Sequence, residues 1–271
     1  MTPTAAKHAG AGARFLLRAG SGVEAVRDWF RAGGLASLFL LASAFGLKLA
    51  YSKAGATELE WVLGPSCLLA RLGGIPLAKE AGAGWISHEP RMVVGVACAG
   101  INFLVVCWLA LYFSVQRHFV GWRKLGVWAA TLLGAYLATI STNGLRIVLA
   151  ARLYDLDVYA GYFTAARVHR GLGVVLYCST LFGLCRAAEL CAIRAKPTAA
   201  GFVSRRPSLG PFFWYLAVAI GVPLANRAFV RDLGHFVEHT AMTLGLALVV
   251  VVVFRVFARV ADRLSSRRAA S

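Results

Sequence analysis

Three residues in this chain have the types that covalent acyl transfer needs, and each lies near one end of an apolar run. They are Cys98 in VACAGINFLV, Arg146 in STNGLRIVLAARL and His169 in HRGLG. A thiol attacks as its thiolate, which a neighbouring cation or base helps to form. In that chemistry Cys98 attacks a backbone carbonyl, His169 takes the thiol proton and later returns one to the leaving amine, and Arg146 holds the oxyanion or a substrate carboxylate. Asn102, four residues after Cys98, and Asn143, three before Arg146, supply amides that could orient a partner or add a donor. Singly, each residue has a plainer reading: cysteine packs as a small hydrophobe, arginine snorkels from a helix end, and histidine starts a helix. The conjunction of all three is what points to chemistry.

The elements that must position these residues are apolar helices. The chain has 271 residues, 59% of them hydrophobic, well above the 45–50% or so of soluble domains. Runs of about 20 apolar residues, enough to cross a hydrocarbon core of about 30 Å, occur near 35 to 51, 92 to 113, 126 to 151, 170 to 190, 211 to 229 and 239 to 260. The expected fold is therefore an all-α membrane protein, a bundle of about six transmembrane helices. In an up-down bundle, Cys98, Arg146 and His169 belong to three consecutive spans and reach the same membrane face. Cys98 is expected about six residues inside span two, and Arg146 five residues before the end of span three at Ala151. Gly95, Ala99, Gly100, Gly171 and Gly173 are expected to let helices approach closely around the site.

The net charge of +17 is explained by where the basic residues fall. With a cytoplasmic N-terminus, the inside segments hold 18 Lys/Arg, whereas the outside ones hold ten against eight acids. This is the positive-inside bias, and it needs no nucleic-acid partner. Residues 1–33 read as a basic cytoplasmic tail, 34–262 as the transmembrane domain and 263–271 as a short cytoplasmic tail. Between spans one and two, ELEWVLGPSCLLARLGG reads as a short interfacial helix broken at Gly64-Pro65, followed by a loop-like GAGWISHEP. Residues 196–210 read as a polar connector, and Tyr154, Tyr159, Tyr162 and Phe163 as an aromatic belt in the second outer loop.

Other constellations compete for the same chain. His235, Glu238 and His239 match H-x-x-E-H, an inverted zinc-protease signature, in which the histidines would bind the metal and Glu238 act as base. The third ligand such a site needs is missing, because Asp262, the last acid, falls at the opposite membrane face. The six cysteines show no CxxC or zinc spacing; Cys67 and Cys98 share the outer side and could in principle pair. A thiol oxidoreductase built on that pair leaves Arg146 and His169 without roles. A transporter or scaffold is the non-enzymatic alternative, and it lacks the repeated halves and midplane charges that transporters often show.

ACAGINFL with Cys98, NGLRI with Arg146 and HRGLG with His169, in this order at the outer ends of successive spans, resemble the exosortase/archaeosortase family of membrane cysteine transpeptidases. YSKAGATELEWVLGP, residues 51 to 65, is most similar to the exosortase K branch, and the resemblance covers roughly residues 35 to 190. It departs at Ala97 and at the Ala-Gly pair after Cys98, where many exosortases have serine-glycine. The resemblance implies a bacterial inner-membrane enzyme with both termini cytoplasmic and its active site on the periplasmic side. Its partners are exported proteins carrying a C-terminal sorting signal, namely a short motif, one transmembrane helix and a basic tail, together with an acceptor of unknown identity. No cofactor or metal is called for.

Overall fold

The computed structural model describes residues 34–270 except 81–83, 90, 120, 157–158, 160, 162, 196–209 and 226–227. The basic tail expected over 1–33 and almost all of the connector at 196–210 therefore lie outside the described residues.

Nine helices and one small sheet follow in order among the described residues. Helices α1 (Leu35–Lys53) and α2 (Glu60–Leu72) precede strands β1 (Ala78–Glu80), β2 (Gly84–His88) and β3 (Arg91–Val94). A 3-10 turn, Val96–Cys98, leads into α3 (Ile101–Val115), then α4 (Arg123–Asp155) and α5 (Ala165–Ala195). After the undescribed segment come α6 (Gly210–Ala219), α7 (Gly221–Ala225), α8 (Ala228–Arg231) and α9 (Leu233–Ala270). Helix α9 runs on through the segment expected as a tail from 263.

Among the described residues, four helices are long and apolar enough to cross a membrane, within α1, α4, α5 and α9, and Ile101–Val115 and Gly210–Leu224 are shorter apolar helices. The exterior carries large apolar side chains, among them Phe39, Phe45, Leu137, Leu145, Val252 and Phe257. Water penalises such a surface and a bilayer welcomes it. At the centre stands α3, with 12 of its 15 residues buried. It packs against α1, α4, α5 and α6, while α9 closes the far side against α5 and α6. Apart from Asn102 near its start and Ser114 near its end, α3 is apolar all round, as a helix packed on several sides requires.

Two expectations between spans one and two are corrected. The stretch expected as loop-like contains β2, the central strand of a three-stranded antiparallel sheet in which Ile86 lies opposite both Ala78 and Val93. The molecule is thus not wholly α-helical. Helix α2 is not broken at Gly64-Pro65 but continues through Pro65. Proline has no N–H to give to the carbonyl four residues back, which here is Trp61. That carbonyl instead accepts the Tyr136 hydroxyl of α4 at 2.6 Å, and the two rings stack with centroids 5.6 Å apart. Tertiary packing thereby supplies the bond that the helix loses. Gly144 of α4 makes the close approach possible, since a Cβ there would lie 2.8 Å from Leu69 Cβ.

Candidate functional site

Cys98 stands not inside a helix, as its apolar surroundings suggest, but on the 3-10 turn before α3. Strand β3 ends at Val94, and the chain turns at Gly95, where Cys98 N–H donates to the Gly95 carbonyl at 2.8 Å. Gly100, the residue before α3, has φ +68°, the left-handed region that glycine enters freely. A Cβ at Gly100 would also lie 2.7 Å from Asn143 Nδ2. That same Nδ2 donates to the Cys98 carbonyl at 2.7 Å. The glycine therefore does two things: it bends the chain into α3 and leaves room for the amide that pins the thiol's backbone. Because Cys98 and Asn102 are not on one helix, the expected shared face at i, i+4 is replaced by a turn followed by the first helical turn. Leu104 N–H, bonded to the Gly100 carbonyl at 3.0 Å, closes the first bond of that turn, so the N-terminus of α3 opens just beyond Cys98.

Arg146 lies nine residues before the end of α4, deeper than expected, because the helix runs on to Asp155. It does not snorkel outward: the residue is 8% exposed and turned inward. Its Nη1 donates to the Tyr177 hydroxyl at 2.6 Å, and its Nε is buried with no hydrogen-bond partner among the described residues. Tyr177 in turn donates to Asn143 Oδ1 at 2.5 Å. A continuous chain of bonds therefore runs from the Arg146 guanidinium through Tyr177 and Asn143 to the backbone of Cys98. The Tyr177 ring is fixed by stacking on Phe103 at 4.4 Å, and the guanidinium carbon lies 5.3 Å from its centroid.

His169 lies in the second turn of α5, one helical turn before Gly173 and two before Tyr177, so the three share a face. Gly173 faces the guanidinium, with its Cβ position at an ordinary contact distance of 3.6 Å from Arg146 Nη1, so a side chain larger than alanine's would crowd it. The expected role of small residues in close helix approach holds less widely than their number suggests. Among the described residues, nothing lies within 4 Å of a Cβ at Gly95, and one at Gly171 meets Leu246 at 3.4 Å.

These side chains converge on one cavity of about 480 Å³, a size suited to a peptide segment or small ligand. Its walls include Cys98, Asn102, Arg146, His169, Tyr177 and His239. Asn143 stands behind the wall, fully buried. The structure thus places Cys98, Arg146, His169 and Asn102 on a single cavity, with Asn143 behind its wall. The sequence reading missed Tyr177, Tyr51 and Thr243, which also line the cavity and whose positions depend on packing between helices distant in sequence. The one available signal was the spacing of His169, Gly173 and Tyr177 at successive turns. Asn102 accepts a hydrogen bond from Lys48 Nζ at 2.6 Å, which places a cation of α1 at the cavity's edge.

The six cysteines are free thiols, so the Cys67–Cys98 pairing that their shared outer side allowed is not realised. Cys98 is half-buried and Cys67 fully buried. Burial, then the nearby Glu60 and Cys98, push the Cys67 thiol up to about 12, which leaves it protonated and inert at neutral pH.

The three residues of the zinc-protease signature are held by other groups. Glu238 accepts from Arg167 Nε at 2.8 Å and Nη2 at 3.1 Å, and from Arg170 Nη2 at 3.1 Å. His235 Nε2 lies 3.2 Å from Arg170 Nη1, and His239 Nε2 is 3.1 Å from the Ala219 carbonyl. A carboxylate clasped by two guanidiniums is a poor base or ligand for a dication. Among the described residues no group of three His, Cys, Asp or Glu side chains could hold a metal ion. The cluster instead ties α5 to α9 beside the cavity.

No family model, curated protein or solved structure matches this chain.

Proposed function

We propose that this protein is a membrane-embedded cysteine protease or transpeptidase of exosortase type. It cleaves a C-terminal sorting signal from exported proteins at the periplasmic face and passes the acyl group to an acceptor. The observation that carries this reading is the convergence of Cys98, Arg146 and His169 on one cavity from three separate segments of the chain. A half-buried thiol on a turn, a buried guanidinium with an unused Nε and an imidazole are the parts of thiol acyl transfer.

In this reading the chain crosses the inner membrane six times, the two shorter apolar helices completing the set, with both termini cytoplasmic. Helix α2 and the sheet cap the periplasmic face. The thiol sits just inside that face because the substrate is anchored by its own helix, and the scissile bond lies just above it. Cys98 attacks the carbonyl, His169 carries the proton to the leaving amine, and Arg146 Nε supplies a charged donor to the oxyanion.

The test is co-expression of wild type and Cys98→Ala with an exported protein carrying such a signal, followed by the intact mass of the substrate. A loss of mass at the signal that vanishes with Cys98→Ala supports the reading. Processing that persists in the variant overturns it. The mass of the new C-terminus distinguishes hydrolysis from transfer.

A further inference from the structure

Acyl transfer through a thioester needs a second nucleophile, and a base to take its proton. The cavity contains an imidazole and a hydroxyl that the first half of the reaction does not use. His239 and Thr243 are one turn apart on α9, so they share a face, and both line the cavity. Helix α9 packs on α5 and α6, whereas Cys98 leads into α3, which packs on α4, α5 and α6. The pair therefore belongs to a different wall from the thiol.

The hydrogen bonds define the state of each group. His239 Nε2 lies 3.1 Å from the Ala219 carbonyl, which can only accept. Nε2 therefore carries the proton, and in the neutral ring the lone pair is on Nδ1. An imidazole whose far nitrogen is held by an acceptor is an oriented base. Thr243 is fully buried, and its hydroxyl has no hydrogen-bond partner among the described residues. Helical threonines and serines often satisfy the hydroxyl on the carbonyl four residues back. Thr131, Thr139 and Ser66 do so here, at 2.7 to 2.8 Å. Thr243 is a lining residue of the cavity, and a buried hydroxyl left unsatisfied is one that a polar ligand atom can satisfy.

We propose that His239 and Thr243 form an acceptor subsite for a nucleophile bearing an N–H or O–H, with His239 Nδ1 as its base. This rests on the thiol-transfer reading above. The acceptor's N–H or O–H gives its proton to Nδ1 as its nitrogen or oxygen bonds to the thioester carbon. The carbon–sulfur bond breaks, its electron pair stays on Cys98 Sγ, and the proton on His239 then passes by way of solvent to restore the thiol. The two histidines thus divide the work: His169 serves formation of the acyl-enzyme, and His239 serves its resolution.

The test uses the full-length protein in detergent micelles with Cys191→Ser, because Cys191 is an exposed thiol that would also react. The acyl donor is p-nitrophenyl acetate, so knowledge of the natural substrate is not required. Wild type should release a burst of p-nitrophenolate from Cys98 and then turn over steadily. His239→Gln, which keeps a donor for the Ala219 carbonyl but has no base, should keep the burst. Its steady-state rate should fall about 100-fold or more, the range of a lost general base. An acetyl group should then accumulate on Cys98, and hydroxylamine should release it. Thr243→Val should raise the concentration of added acceptor needed for half-maximal release. Comparison of ethylamine, ethanol and water as acceptors identifies which nucleophile the subsite favours. A steady-state rate in His239→Gln equal to that of wild type overturns the subsite. So does loss of burst and turnover together, which would assign His239 to the first step or to the fold. No burst in wild type, or a burst that survives Cys98→Ala, overturns the thiol-transfer reading and the subsite with it.

Discussion

Tyr177→Phe is the most informative single change, because it removes one oxygen from the middle of the chain linking Arg146 to Cys98. The ring should stay: phenylalanine keeps the stacking on Phe103 at 4.4 Å and the face presented to the guanidinium. Two bonds are lost, Arg146 Nη1 to the hydroxyl at 2.6 Å and the hydroxyl to Asn143 Oδ1 at 2.5 Å. Each leaves a buried polar group without that partner, at about 1–3 kcal/mol apiece, so the variant should be destabilised by about 2–6 kcal/mol. The effect on chemistry is separate. Without the hydroxyl, Asn143 can rotate, and its Nδ2 no longer holds the Cys98 carbonyl in place. A shift of the nucleophile by about 1 Å can slow attack about 100-fold. The burst rate of p-nitrophenolate from Cys98 measures the second effect, and heat-induced trapping of the buried Cys107 thiol measures the first. The chain also predicts non-additivity. Tyr177→Phe combined with Asn143→Ala should slow the burst little more than Asn143→Ala alone, since either change breaks the same path. A wild-type burst rate in a folded Tyr177→Phe protein, or strictly additive losses in the double variant, would refute the idea that these bonds act as a unit.

Gly100→Ala should cost about 1–2 kcal/mol for the left-handed backbone and displace Asn143 as well, so the burst should slow even at temperatures where the protein stays folded. Arg146→Lys should impair the burst rate severely although the charge is kept, because lysine has no fork to bond Tyr177 and offer a second donor; normal kinetics would mean that the guanidinium's geometry is unimportant. At neutral pH a maleimide should label Cys98 well before Cys67, whose thiolate fraction, with a pKa of about 12, is on the order of 10⁻⁵; Cys67 should gain reactivity only as pH rises towards that value, and equal labelling at neutral pH would contradict its burial.

What could be read from the sequence, and what could not, divides along physical lines. The long helices were legible because hydropathy over about 20 residues integrates a strong signal. Cys98, Arg146 and His169 were legible because polar atoms in apolar runs need a reason, and the cavity places all three on its wall. The turn carrying Cys98 was hidden by its own composition. MVVGVACAGINFLVV is apolar throughout, and such a run cannot distinguish strand, turn and buried helix by periodicity. Residues 91–94 pair with β2, and only the two glycines, Gly95 and Gly100, mark where the backbone changes state. The three strands have three to five residues each, too few for an alternation to stand out from a loop. Tyr177 and Thr243 were illegible for a different reason: an aromatic or a threonine in an apolar helix is ordinary, and only the neighbours brought by packing give them meaning.

The Pro65–Tyr136 pair puts this last point to a quantitative test. Proline inside a helix leaves the carbonyl four residues back without its usual donor. The Tyr136 hydroxyl fills that place on Trp61 at 2.6 Å. Tyr136→Phe should therefore destabilise the protein by about 1–2 kcal/mol while keeping the stacked rings. In a Pro65→Ala background the new N–H can reach the Trp61 carbonyl, so the same Tyr136→Phe change should matter much less. Equal losses in both backgrounds, measured as heat-induced exposure of Cys67 to a maleimide, would show that the hydroxyl is not compensating for the proline. A smaller loss in the alanine background would show that α2 was kept helical through Pro65 by a partner 75 positions away from Trp61 in the chain, which no local reading of GPS could supply.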